Sequence, residues 1–217
     1  MIRSRRFAAV AGIAFVVMFI AGILVLDAPG HDDSDASLNA FYSQSSNRLR
    51  VVIAGYLWAG AGLAFLWFLG HLRSRLSAAE GDHLELSAVM FGSGVVFVGM
   101  LFAAAAAQDP TYAFSIDAFD EPQTQLSRAV IPHIGYGMLL YGMLAAGLTT
   151  STASVAILQT GVLPAWMAWV GFLASLALLF SLLFIPMFAL TIWVLAMSIV
   201  LLREPDESAV ATNEGRR

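Results

Sequence analysis

Residues 163–202 form a run of forty residues that contains no charged side chain. A single α-helix of that length would be about 60 Å long, whereas the hydrocarbon core of a bilayer is only ~30 Å thick. The run is therefore expected to form two membrane spans folded as a tight hairpin. We expect the break between Phe180 and Pro186, because proline is tolerated in the first turn of a helix and disfavoured inside it. This run predicts an integral membrane protein.

The composition of the chain agrees with that prediction. Hydrophobic residues make up 59% and charged residues 12%, against roughly 25% charged residues in a soluble domain. The net charge of −4 gives no bulk reason to expect nucleic-acid binding. The expected partners are therefore membrane lipid and, as a second option, another membrane protein. The absence of cysteine excludes thiolate nucleophiles and cysteine-bound metals.

Six apolar segments predict an all-α, polytopic bundle with six transmembrane helices over residues 1–203. The expected spans are residues 7–26, 51–70, 87–107, 129–149, 163–180 and 186–202. The first apolar run exceeds the ~7–15 residues of a signal peptide core, so we expect it to stay in place as a span. The polar residues 204–217 are expected to be a disordered cytoplasmic tail.

The arginines predict which side of the cell membrane each loop occupies. All eleven cationic residues are arginine. Six spans with cytoplasmic N- and C-termini place three of them outside, namely Arg48, Arg50 and Arg128. The other eight lie inside, namely Arg3, Arg5, Arg6, Arg73, Arg75, Arg203, Arg216 and Arg217. Because cytoplasmic loops are enriched in cationic residues, this topology is the expected one.

Three segments carry a resemblance to a known family. Residues 160–171 read TGVLPAWMAWVG, residues 91–97 read FGSGVVF, and residues 47–76 contain NR, GYL and LRSRL in that order. These segments resemble an uncharacterised family of bacterial, actinobacterial-type six-span membrane proteins, described only as a domain of unknown function. The resemblance covers residues 38–203. It implies a fold and a topology, and it implies no reaction, ligand or partner.

Small residues form a stripe on each of the third and fourth spans. The stripes have the same offsets of 7, 4 and 3 residues, and small residues at such spacing let membrane helices approach closely. They could form a dimer face, but the spans are consecutive and antiparallel, so we expect packing within the bundle. The stripes are Gly92, Gly99, Ala103 and Ala106 on the third span and Gly135, Gly142, Ala146 and Thr149 on the fourth.

Catalytic and metal-binding patterns receive little support. Residues 92–94 read GSG, which is similar to the serine motif of intramembrane proteases, with His133 as the potential base. The expected depths separate Ser93 from His133 by roughly 15 Å, whereas a nucleophile and its base need ~3 Å. His133 is the one histidine expected in or near hydrocarbon, so a haem with two histidine ligands is not expected. Residues 80–83 give a single Glu-x-x-His spacing in the expected cytoplasmic turn, no His-Glu-x-x-His run exists, and we expect no metal, cofactor or catalytic residue.

One polar cluster is predicted at the outer mouth of the bundle, formed by Arg50, Asp109, Arg128 and His133. Both arginines begin a span, where the helix macrodipole disfavours a cation, and Asp109 ends the third span. The cluster is either a site for an anionic lipid, ion or peptide or a set of arginines reaching lipid phosphates. The sequence favours the second interpretation.

Three functions are therefore compared. The first is a non-enzymatic membrane protein that packs against a partner or lipid. The second is a small-solute or proton-coupled transporter, which is disfavoured because no charged residue falls centrally in any expected span. The third is a lipid-modifying enzyme that uses Asp109 and His133, and it lacks a nucleophile at a suitable place.

Overall fold

The computed structural model describes residues 2–26, 40–41, 43–80, 85–107 and 125–203. For residues 2–4 and 125–132 it describes the backbone and not the side chains. Within these ranges all regular structure is helical, as the sequence predicts. In the described part of the chain six long α-helices follow in order, and two short 3₁₀ turns, Ser181–Leu183 and Ile185–Met187, separate the last two. The helices are α1 (Ile2–Leu26), α2 (Ser45–Glu80), α3 (Glu85–Ala107), α4 (Gln125–Thr160), α5 (Ala165–Leu178) and α6 (Phe188–Arg203).

Among the described residues, five helical segments are long and apolar enough to cross a membrane, as in a multi-pass helical membrane protein. They are Arg5–Leu26, Ser45–Glu80, Glu85–Ala107, His133–Thr160 and Ile185–Arg203. The remaining helix, α5, has 14 residues and a length of about 21 Å, which is less than the ~30 Å of the hydrocarbon core.

The helices form a closed ring in which each packs on its neighbours in the chain and α6 returns to pack on α1. An aromatic cluster fills the centre. The ring of Phe65 on α2 lies 4.8 Å from that of Phe15 on α1 and 5.2 Å from that of Phe97 on α3. On the side of α6, the ring of Trp193 meets Phe68 edge-on at 6.2 Å. Dispersion contacts of this kind, rather than burial from water, hold helices together in lipid.

Two helices exceed the spans expected from the sequence by several turns. Helices α2 and α4 each contain 36 residues, or about 54 Å. They continue beyond residues 70 and 149, where the expected spans end. The reason is that buried residues keep a helical spacing in both extensions: Leu72 and Leu76 on α2, and Ala153 and Ile157 on α4.

Residues 163–202 form two helices with a break that includes residues 180–186, where the sequence predicts it, and their crossing of the membrane as two spans stays a prediction. Helix α5 ends at Leu178 and α6 begins at Phe188. Leu178 packs beside Gly147 of α4, and the hydroxyl of Tyr136 donates to the carbonyl of Leu182 at 3.4 Å. The turn therefore carries the chain along α4 beyond the end of α5, from the level of Gly147 towards that of Tyr136. The expected tail, residues 204–217, lies outside the described residues.

Candidate functional site

The predicted outer polar cluster is described only at Arg50 and His133. Both are exposed, near the N-terminal ends of α2 and α4. Asp109 lies outside the described residues, and Arg128 belongs to α4 with its side chain outside the described part. The proximity of these four residues therefore stays a prediction.

The sequence interpretation placed Arg48 outside the membrane but did not include it in the polar cluster. Its side chain is 8% exposed, and its Nη1 donates to the carbonyl of Ser43 at 3.4 Å. Next to it, the Asn47 side-chain amide donates to the carbonyl of Phe41 at 3.1 Å. Helical spacing could have indicated that Arg48 is buried, because Arg48 lies on the same side of α2 as the buried Val51 and Gly55. Arg48 thus anchors the segment before α2 instead of reaching outward.

The small residues of α4 face α3. Gly142 is so close to α3 that an added Cβ would lie 2.9 Å from the Cβ of Met100. Gly135 lies two turns nearer the N-terminus, and its added Cβ would lie 2.6 Å from the Cβ of Ala107. Ala146 is fully buried. This edge of α4 therefore makes a close helix–helix contact, as small residues permit in membranes.

The expected stripe on α3 requires a correction. Gly92 and Gly99 are exposed, and no atom lies within 4 Å of an added Cβ at either position. Ala106 is also exposed, and Ala103 is half-buried. The face of α3 that meets α4 instead contains Ser93, Phe97, Met100, Ala104 and Ala107. Residues 103–107 are all alanine, so small residues alone could not fix the rotational phase of this helix.

The buried hydroxyl of Ser93 is directed at α4 and not at a histidine. Its Oγ lies 2.9 Å from Oγ1 of Thr149, and it donates to the carbonyl of Val89 at 2.8 Å. His133 lies sixteen residues from Thr149 along α4, a rise of about 24 Å. The geometry thus rules out a Ser93–His133 dyad and makes Ser93 a packing residue between two helices.

An apolar cavity lies at the other end of the α3–α4 contact. Its volume is about 160 Å³, similar to the ~150 Å³ of an apolar protein cavity that stays dry and accepts benzene. Residues from α1, α2, α3, α4 and the α5–α6 turn contribute to its wall. They include Phe19, Trp58, Leu101, Leu139, Phe184 and Met187.

The two polar groups on the cavity wall are engaged elsewhere. Nε1 of Trp58 donates to the carbonyl of Phe19 at 3.3 Å, and the Tyr136 hydroxyl donates to the carbonyl of Leu182 at 3.4 Å. Gly22 makes room for the Trp58 indole, which an added Cβ at that position would strike. The cavity therefore presents carbon atoms and aromatic faces, and it suits a hydrocarbon ligand.

The α5–α6 turn closes one side of the cavity through a strained residue. Phe184 has φ 63° and ψ −55°, which makes it the one non-glycine residue with positive φ in the described chain. Such a conformation costs on the order of 1–3 kcal/mol. In this conformation Phe184 lines the cavity wall. The centroid of its ring lies 5.7 Å from that of Phe188, and the two rings meet edge-on. Its neighbours Leu182 and Ile185 are 71% and 78% exposed on the outer surface.

The backbone of this turn is suited to an apolar environment. The amide N–H groups of Phe180, Leu183, Phe184 and Met187 each donate to a carbonyl within the turn or at the end of α5, at 2.9–3.1 Å. Unbonded backbone polar groups are costly in hydrocarbon, so these four bonds lower the cost of placing the turn near lipid chains. The exposed apolar side chains and the bonded amides together fit contact with lipid chains.

No family model matches this chain, and neither a curated protein nor a solved structure is significantly similar to it. Among the residues whose positions are described, no group of three or more His, Asp or Glu side chains could hold a metal ion.

Proposed function

We propose that this protein is a non-enzymatic, six-span protein of the cell (plasma) membrane, with both termini in the cytoplasm, that holds a lipid hydrocarbon chain. The end of that chain would occupy the apolar cavity between α1, α2, α3, α4 and the α5–α6 turn. The observation that carries this proposal is the cavity itself, which has a carbon-lined wall and an apolar, exposed turn beside it.

Six spans are supported by the way α5 is extended. Helix α5 alone is too short to cross hydrocarbon, but the turn continues along α4 towards Tyr136. Because the exposed side chains of the turn are apolar and four of its amides are bonded, the turn can lengthen the fifth crossing at the edge of the hydrocarbon. An even number of crossings then keeps the arginine-rich ends on one side, as the distribution of charge favours.

A lipid chain is favoured as the ligand because it is the apolar molecule that surrounds the protein at the highest concentration. Leu182 and Ile185 expose most of their surface beside the cavity wall. A chain end that entered there would replace lipid contacts by contacts with Phe19, Leu101 and Leu139. An apolar site of this size gains dispersion contacts when it is filled.

A binding role is also easier to reconcile with the polar groups than a catalytic one. Trp58 and Tyr136 already donate to backbone carbonyls, and neither has a nucleophile or carboxylate beside it on the cavity wall. A general acid or base has to reach the reacting group within ~3 Å. The transporter alternative would need a charged or proton-carrying group at such a place.

The test is photo-crosslinking of the full chain in vesicles that contain phosphatidylcholine with a diazirine near the end of one acyl chain. Mass spectrometry would map the adducts. We expect adducts on Met187 and Ile23, which line the cavity, as well as on exposed residues such as Leu182. Adducts confined to exposed residues would overturn the proposal.

A matched pair of variants separates cavity occupancy from general lipid contact. Leu139→Phe adds volume to the cavity wall, whereas Leu144→Phe makes the same change at an exposed position of the same helix. We expect Leu139→Phe to remove the adducts on Met187 while adducts on Leu182 persist. Leu144→Phe should leave both sets intact, and equal labelling of Met187 in the two variants would contradict the cavity site.

A further inference from the structure

Two parts of the chain close the apolar cavity towards its surroundings. On one side, Leu26 of the cavity wall packs against the buried pair of Phe41 and Val51. The segment that carries Phe41 is held to the start of α2, because the side-chain amide of Asn47 donates to the carbonyl of Phe41 at 3.1 Å. The α5–α6 turn closes the other side, and it is held in a different way.

The α5–α6 turn is anchored at its ends and exposed in its middle. Ser181 and Met187 are buried, and Met187 lines the cavity. Residues 182–185 between them are 44–78% exposed. Among the described residues, one hydrogen bond ties this exposed middle to another helix, and it is long, with the Tyr136 hydroxyl donating to the carbonyl of Leu182 at 3.4 Å. The middle of the turn can therefore move while both ends stay in place.

Phe184 is the joint between the two 3₁₀ turns of this segment. Its φ of 63° and ψ of −55° are close to those of the γ-turn with positive φ, which is rare and strained. The amide of Met187 donates to the carbonyl of Phe184 at 3.1 Å. A change in ψ at Phe184 would break that bond and swing the two 3₁₀ turns apart, which is how a hinge residue absorbs a movement.

We propose that residues 182–185 form a lid that opens into the surrounding lipid and admits the lipid chain to the cavity. Phe184 is the hinge, and the Tyr136 hydroxyl is the latch. This inference rests on the function proposed above, because it concerns the same cavity. The strain at Phe184 favours the open lid, whereas packing of its ring against Phe188 and the cavity wall favours the closed lid. The chain thus enters sideways from the bilayer and does not pass beneath Phe41.

Opening of the lid is measured without any ligand by amide hydrogen exchange of the full chain in a mild detergent, resolved at Met187. Tyr136→Phe removes the latch hydroxyl and keeps the ring. It should raise the exchange rate of the Met187 amide about fivefold, as expected for the loss of one hydrogen bond. Tyr141→Phe makes the same change at an exposed position of the same helix and should leave that rate unchanged. Equal rates in the two variants would overturn the proposal.

A second pair of variants tests the hinge. Phe184→Gly and Phe184→Ala both remove the ring, but glycine alone adopts a positive φ without strain. The closed lid is therefore favoured more in the glycine variant. We expect its Met187 amide to exchange about fivefold more slowly than in the alanine variant, after allowance for the greater freedom of glycine in the open lid. Equal or faster exchange in the glycine variant would overturn the hinge.

The route of entry is tested with a small lipid-soluble phenyl diazirine, an aromatic molecule of the kind that a cavity of this size accepts. It is mixed with the protein in detergent and photolysed after increasing times. We expect Met187 to be labelled about fivefold faster in Tyr136→Phe and at an unchanged rate in Phe41→Leu. The opposite result would place the entry beside Phe41 and overturn the lid.

These outcomes are distinct from a failure of the proposed function. Adducts of the photoreactive phosphatidylcholine on Met187 would still support the cavity as a lipid site if the variants of Tyr136 and Phe184 had no effect. If the exchange rates changed as expected and those lipid adducts were absent, the lid would stand and the lipid chain would be the wrong occupant.

Discussion

The contact between α3 and α4 at Gly135 leads to a quantitative prediction. A Cβ added there would lie 2.6 Å from the Cβ of Ala107 and 3.3 Å from the carbonyl oxygen of Ala104. Carbon atoms prefer a separation of ~3.5–4.0 Å. Neither neighbour can rotate away, because one is a methyl group on Cα and the other is backbone. Gly135→Ala should therefore push the two helices apart.

The magnitude follows from a comparison with Gly137→Ala on the same helix. Overpacking a close contact costs typically ~1–3 kcal/mol. Both variants gain the same helix-propensity term, roughly 0.5–1 kcal/mol for glycine to alanine. At Gly137 nothing lies within 4 Å of an added Cβ, so that gain is not opposed. We therefore expect Gly135→Ala to be less stable than Gly137→Ala by ~1–3 kcal/mol.

The assay is thermal unfolding of the purified protein in a mild detergent, followed by near-ultraviolet circular dichroism. For a chain of this size the melting temperature should fall by roughly 2–4 °C per kcal/mol. The double variant Gly135→Ala with Ala107→Gly removes the opposing methyl group, and it should recover part of the loss as a coupling of ~0.5–3 kcal/mol. Equal melting temperatures for the two single variants, or no recovery in the double variant, would refute the close contact.

Two further predictions concern the polar bridge between helices and the topology. A double-mutant cycle of Ser93→Ala and Thr149→Val can be measured by the same unfolding assay. We expect a coupling free energy of about 0.6 kcal/mol, as for other hydrogen bonds between membrane helices. Additive effects would mean that the hydrogen bond between these two residues contributes nothing to stability. In intact cells, a membrane-impermeant thiol reagent should label Ser46→Cys and leave Ala79→Cys unlabelled. These exposed residues lie at the two ends of α2, of which the proposed topology places the first outside and the second inside. The chain contains no other cysteine that could react. Labelling of Ala79→Cys with protection of Ser46→Cys would invert the proposed topology.

The sequence was sufficient for the helical architecture because lipid leaves the backbone few choices. Apolar runs of the right length must form helices, since every amide has to bond within its own segment. The uncharged run of residues 163–202 thus predicted two helices, and Pro186 lies in the break between them. The small residues of α4 were predictable for a related reason, because their offsets keep them on one edge of the helix.

Only the tertiary structure decided which side of each helix meets a neighbour. On α3, Gly92 and Gly99 face outward, whereas the next residues along the chain, Ser93 and Met100, face α4. The helix is thus rotated by one residue from the predicted orientation. The run of alanines at its end could not indicate this, because small residues there lie on every side of the helix. The same holds for the cavity. It lies between residues that are remote in the chain, such as Phe19 and Phe184. In lipid both faces of a helix are apolar, so the hydrophobic pattern determines which residues form the helix. Its rotation about its own axis is determined by close packing against neighbouring helices.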